Sequence, residues 1–101
     1  MNIVKIGTLG RMSIPASIRS SLNWQIGDTL EILAAGETVT IRKTEPGAAY
    51  EKRLLDINGR LHLPVVIRKA VDLHINDTVE LLVAGDTVIV VKRESAEEEN
   101  N

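Results

Sequence analysis

The stretch LGRMSIPASIR, Leu9 to Arg19, reads as a strand that meets a Gly-Arg turn and then a proline opening a helix; the chain repeats it as NGRLHLPVVIR, Asn58 to Arg68. Overlaid 49 residues apart, the copies need no gap: Gly10/Gly59, Arg11/Arg60, Pro15/Pro64, Ile18/Ile67 and Arg19/Arg68 coincide. The match runs on through Asp28/Asp77, Thr29/Thr78, Glu31/Glu80, Gly36/Gly85, Thr38/Thr87, Val39/Val88 and Lys43/Lys92. Of the 34 positions from Gly10 to Lys43, 15 are identical to their partners, which establishes a duplication.

Each copy carries the same sequence of local signals. A first strand (about Ile3–Leu9 and Lys52–Ile57) reaches the Gly-Arg turn, and a short strand follows (Met12–Ile14; Leu61–Leu63). Proline stands at the first helical position, where its fixed φ and missing N–H do no harm. The helices are brief, about Pro15–Leu22 and Pro64–Val71. Then Asp28-Thr29 and Asp77-Thr78 lead into hairpins, LEILAAGETVTIRK and VELLVAGDTVIVVK. Leu30, Ile32, Val39 and Ile41 alternate with Glu31, Thr38, Thr40 and Arg42, the period of a half-buried strand. Gly36 and Gly85 supply the turns. The run Val88–Val91 is apolar on both faces, which predicts cover for Ile89 and Val91 from the linker or from another chain.

A unit of about 45 residues is too small to close a core unaided. Two copies can each supply what the other lacks, so residues 1–93 are predicted to form one pseudo-symmetric barrel. Repeat 1 (1–43) and repeat 2 (52–93) are joined by the linker 44–51, and 94–101 is expected to be an acidic, disordered tail.

Composition narrows the function classes. Apolar residues make up 44% of the chain, aromatics only 2%, and Phe is absent, so the core must be built from Ile, Leu and Val. With no cysteine there is no disulfide, thiolate metal site or thiol nucleophile. No apolar run approaches the roughly 20 residues of a membrane span, and a cytoplasmic location is the expectation. Net charge is −2, but the tail holds four acids and no base; residues 1–93 carry 12 bases against 10 acids. Such a balance neither demands nor excludes a polyanionic partner. Catalysis is not expected: there is no Gly-rich phosphate loop and no paired histidines at ligand spacing. Ser13 and Ser17 are replaced in the second copy by His62 and Val66. No cofactor or metal is expected either, and His62 and His74 read as surface or packing residues.

In order and spacing, Gly-Arg, Ile/Leu-Pro, Ile-Arg, short helix, Gly/Asn-Asp, acidic strand, Gly hairpin and Lys resemble the AbrB/MazE/SpoVT group of bacterial and archaeal DNA-binding domains. Nearly the whole chain carries the pattern, twice. The resemblance implies a mostly β fold with two short helices: a swapped-hairpin (double-split) β-barrel, normally made by two chains and here formed by two tandem repeats in one. It implies double-stranded DNA as partner, gripped by arginines around the turn and helix. By position these are Arg11 and Arg19 in the first copy and Arg60 and Arg68 in the second, with Lys5, Arg53 and Lys69 at the margins. Arg53 is matched by Val4 and Lys69 by Ser20, so the second copy is expected to grip more strongly. Arginine suits the task, because it stays charged and bridges phosphates or reads guanine bidentately. A plainer role for Arg19 and Arg68 is pairing with acids such as Glu31 and Glu80.

The favoured expectation is a sequence-specific transcriptional regulator, a repressor or transition-state type factor, with self-association of the fused barrel possible. The alternative is an antitoxin with a toxin protein as partner, or a protein-interaction barrel. Antitoxins of this group generally carry a long C-terminal segment that wraps the toxin; about eight hydrophilic residues follow Arg93 here, which favours the regulator.

Overall fold

A computed structural model describes residues 2–47 and 49–93; the tail expected at 94–101 lies outside the described residues. Repeat 1 contributes β1 (Asn2–Lys5), β2 (Arg11–Ser13), α1 (Ala16–Leu22), β3 (Thr29–Ala35) and β4 (Thr38–Lys43). Repeat 2 contributes β5 (Glu51–Leu54), β6 (Arg60–His62), α2 (Val65–Ala70), β7 (Thr78–Ala84) and β8 (Thr87–Arg93). The strands form a six-stranded antiparallel sheet in the order β1-β7-β8-β4-β3-β5 and a two-stranded ribbon, β2-β6.

The pairing interleaves the repeats. Strand β1 of the first copy pairs with β7 of the second, and β5 of the second with β3 of the first. Two contacts lie on the pseudo-two-fold axis, where a residue faces its own counterpart: Met12 opposite Leu61 in the ribbon, and Thr40 opposite Ile89 between β4 and β8. Met12 and Leu61 are both fully buried. A side chain of that size contributes about 1.5–3 kcal/mol through burial. The axis is therefore stapled at the centre of the core. The core itself is aliphatic, as the missing Phe requires, and Trp24 and its counterpart Leu73 are buried in it. Strand β1 lies beside β2 and β5 beside β6 with no ladder between them; on those sides single backbone bonds, Gly7 N–H to the Arg11 carbonyl at 2.8 Å and Asp56 N–H to the Arg60 carbonyl at 3.0 Å, join the chain segments.

Several residue identities of the duplication now have causes. The Asp28 carboxylate accepts the Gln25 amide at 2.8 Å, and Asp77 accepts that of His74 at 2.8 Å, each fixing the turn before a hairpin. The same carboxylates face Lys43 at 3.5 Å and Lys92 at 3.3 Å. Past the helices the chain turns left-handed, at Asn23, which caps α1, and at Asp72, one residue beyond the Val71 cap of α2, each at φ 56°. Short polar side chains of this kind tolerate that conformation.

Four expectations need correction. The first strands are shorter than read: β1 stops at Lys5, and Thr8–Gly10 forms a 3-10 turn in which Leu9 takes φ 64°. The prolines precede the helices as caps with extended ψ (146° at Pro15, 149° at Pro64), and do not occupy the first helical position. The short strands lie one residue earlier than read, and the helices start one residue later, at Ala16 and Val65. Ile89 and Val91 are half-exposed on the outer sheet face, so the linker does not bury them as one arm of the expectation had it; cover by another chain, the other arm, is a matter for the assembly. The linker instead covers Glu31, whose carboxylate is wholly buried. It accepts Arg42 Nε at 2.8 Å and the Glu45 amide at 3.0 Å, while Tyr50 stacks 5.5 Å from the Arg42 guanidinium. Glu80, the counterpart, keeps some exposure and pairs with Arg93 at 2.8 Å.

Candidate nucleic-acid interface

Alternation along the ribbon decides which side chains reach solvent. In β2, Met12 points into the core, so Arg11 and Ser13 face out; in β6, Leu61 points in, so Arg60 and His62 face out. The register sets Arg11 opposite His62 and Ser13 opposite Arg60. The outer face of the ribbon thus presents two arginines straddling the pseudo-axis. A groove of about 360 Å³ opens beside it, lined by Lys5, Gly7, Thr8, Arg11, Ser13 and Arg60, with no carboxylate in its wall. Thr8 and Ser13 were not foreseen. The signal for Ser13 was its period-2 spacing from Arg11; Thr8 had none.

Arg19 and Arg68 are held in matching ways. Each donates Nε to the carbonyl five residues earlier, Arg19 to Ile14 and Arg68 to Leu63, both at 2.9 Å. Each guanidinium then crosses the turn glycine of the opposite repeat. A Cβ on Gly10 would stand 2.7 Å from Arg68 Nε, and one on Gly59 would stand 3.1 Å from Arg19 Cζ. The two Leu63 N–H···O=C Gly10 and Ile14 N–H···O=C Gly59 bonds, at 2.9 Å, tie the same segments together. The invariant Gly-Arg and Ile-Arg of the repeat are therefore two halves of one contact made across the barrel. The acids expected as structural partners of Arg19 and Arg68 are taken by others, Glu31 by Arg42 and Glu80 by Arg93.

Other sequence-expected residues sit differently. Arg53 projects toward His62, with Nε to Nδ1 at 3.3 Å, while its Nη groups meet the Lys52 carbonyl at 2.7 Å and Glu51 at 3.6 Å. Lys69 is exposed on α2 beside Arg68. Burial, and then the charges of Arg53, Arg68 and Arg11, hold the His62 pKa below its ordinary value, so the ring is neutral at pH 7. Asp56 replaces Gly7 in the second turn. Its carboxylate accepts the amides of Arg60 and Asn58 at 2.9 and 2.8 Å. The Arg60 amide, then that of Asn58 and the charges of Arg60 and Arg11, lower its pKa, so it is an anion at any physiological pH. Among the described residues, no three His, Asp or Glu side chains gather to hold a metal, and no helix is long and apolar enough to cross a membrane.

Residues 3–49 match the family described as "Antidote-toxin recognition MazE, bacterial antitoxin". The match covers the first repeat, and there it agrees with the resemblance read from the Gly-Arg and Ile-Arg segments. The fold is similar to that of a solved protein, the solution structure of PHS018 from Pyrococcus horikoshii. The two share 19% identity at a TM-score of 0.51, covering 90% of this chain and 85% of that one. No curated protein matches the sequence.

Proposed function

We propose that this chain is a sequence-specific, double-stranded DNA-binding transcriptional regulator of the repressor or transition-state type. The observation that carries the reading is the pair Arg11 and Arg60 on the outer face of the ribbon, astride the pseudo-two-fold axis, together with the carboxylate-free groove that they line with Lys5 on the side of the first turn. Two-fold DNA binders present matched elements to successive stretches of duplex. Here two turns, each braced by an arginine from the other repeat, supply the matched elements. Phosphates would be held by Lys5, Arg11, Arg19, Arg60, Arg68 and Lys69, while Thr8 and Ser13 add neutral donors. Arg53, already engaged by Glu51 and His62, contributes less.

If these six cations neutralise about six phosphates, log K falls against log salt with a slope near −5. Fluorescence anisotropy with duplexes from the protein's own promoter region and with random duplex tests this. Binding that ignores salt, or none to either DNA, refutes it.

The description of the family matched by residues 3–49 supports a second reading, an antitoxin that recognises a toxin protein. Co-expression with the product of an adjacent toxin-sized gene separates the two. Stable co-purification that leaves duplex affinity absent favours the antitoxin.

A further inference from the structure

The interleaved topology regroups the basic residues into two unequal halves. One half joins the first turn to α2: it holds Lys5, Thr8, Arg68 and Lys69 and has no acid in its groove. The other joins the second turn to α1. There, at the pseudo-symmetric positions, Leu54 replaces Lys5, Ile57 replaces Thr8, Asp56 replaces Gly7 and Ser20 replaces Lys69. Leu54 is 62% exposed and Ile57 86% exposed, so the difference lies on the surface and not in the core. Arg19 remains in this half, but Arg53 is turned toward His62 and Glu51, and Asp56 sets a fixed negative charge beside Arg60. Only Arg11 and Arg60, on the ribbon, serve both.

Resting on the DNA-binding reading, we propose that the protein takes a non-palindromic duplex site with two chemically different halves. The Lys5/Arg68 half clamps phosphates. The Ile57/Leu54 half offers apolar surface, suited to thymine methyl groups in the major groove, and repels phosphate from Asp56. A symmetric fold need not read a symmetric site once its two halves carry different side chains. In a dimer of identical chains that divergence is impossible; fusion of the copies permits it.

The test is selection from a random-core duplex library with the full chain, followed by salt titrations of variants. Wild type should enrich a motif that is not its own reverse complement. Lys5→Leu should lower the salt slope by about one unit, and Leu54→Lys with Asp56→Asn should raise it by about one and shift the enriched motif toward a palindrome. Asp56→Asn keeps an acceptor for the turn amides, and Leu54 is exposed, so neither change threatens the core. A palindromic wild-type motif, or equal losses from Lys5→Leu and Arg53→Leu, overturns the asymmetry while leaving DNA binding intact. Failure of wild type to retain any duplex overturns both.

Discussion

Replacing Gly10 with Ala isolates the contact that couples the two repeats. Gly10 stands at φ 77°, so any Cβ there meets left-handed strain of about 1–2 kcal/mol. Part of that is offset because Ala has less freedom than Gly in the unfolded chain, about 0.4–1 kcal/mol. Gly36→Ala measures this net backbone cost alone, near 1 kcal/mol, since φ is 61° and nothing lies within 4 Å of its Cβ position. At Gly10 the new methyl would stand 2.7 Å from Arg68 Nε and 2.9 Å from Cζ, so the guanidinium must leave. Its hydrogen bond to the Leu63 carbonyl is then lost, and a bond from a charged donor contributes about 1.5–3 kcal/mol. Gly10→Ala should therefore cost roughly 2.5–4 kcal/mol in urea unfolding. Gly59→Ala should fall between the two, because Arg19 needs to move only a few tenths of an ångström. In an Arg68→Ala background the Gly10 substitution should cost no more than Gly36→Ala, a coupling that a double-mutant cycle reads directly. Equal costs at Gly10 and Gly36, or no coupling to Arg68, would falsify the argument that the turn of one repeat is seated on the arginine of the other.

The Glu31 carboxylate is held below its ordinary pKa chiefly by Arg42, and next by the Glu45 amide, against the opposing effect of burial. The unfolded chain therefore takes up the proton first as pH falls. The stability from Glu31 is complete above the ordinary glutamate pKa and drains away as pH drops through the lower folded value. Glu31→Gln should flatten the urea midpoint between pH 6 and pH 3, and a curve parallel to wild type would show that the clasp contributes nothing. Each repeat's first strand pairs only with the other repeat, so the fragment Met1–Glu45 should be unfolded as a monomer and fold on mixing with the second half; dispersed amide resonances from the monomeric fragment alone would contradict this. Truncation after Arg93 removes four acids, and should tighten binding to random duplex at low salt. Unchanged affinity would mean that those charges act too far from the duplex to matter.

What the sequence disclosed depended on whether the physics was local. The hairpins were legible because Leu30, Ile32, Val39 and Ile41 alternate with polar neighbours, and all four are buried. The turns at Gly36 and Gly85 were legible because both need positive φ. Glu31 was assigned by the same alternation to a solvated face, and it does point outward; it is buried because the linker folds back over it, a contact made 14 residues away. Leu9 at φ 64° had no signal at all, since leucine is not a turn former and its counterpart Asn58, which is one, has no positive φ. The site shows the same division most clearly. Arg11 and Arg60 face outward on the ribbon at places that follow from the repeat, yet the comparison of copy with copy groups Arg53, Arg60, Arg68 and Lys69 into one strong half. Strand exchange undoes that grouping. It carries Arg68 across to Gly10 and places Arg19 against Gly59, so each half of the candidate surface is assembled from the turn of one copy and the helix of the other. Repeat boundaries on the sequence and half-site boundaries on the surface are consequently different partitions of the same residues, and charge must be counted by the second.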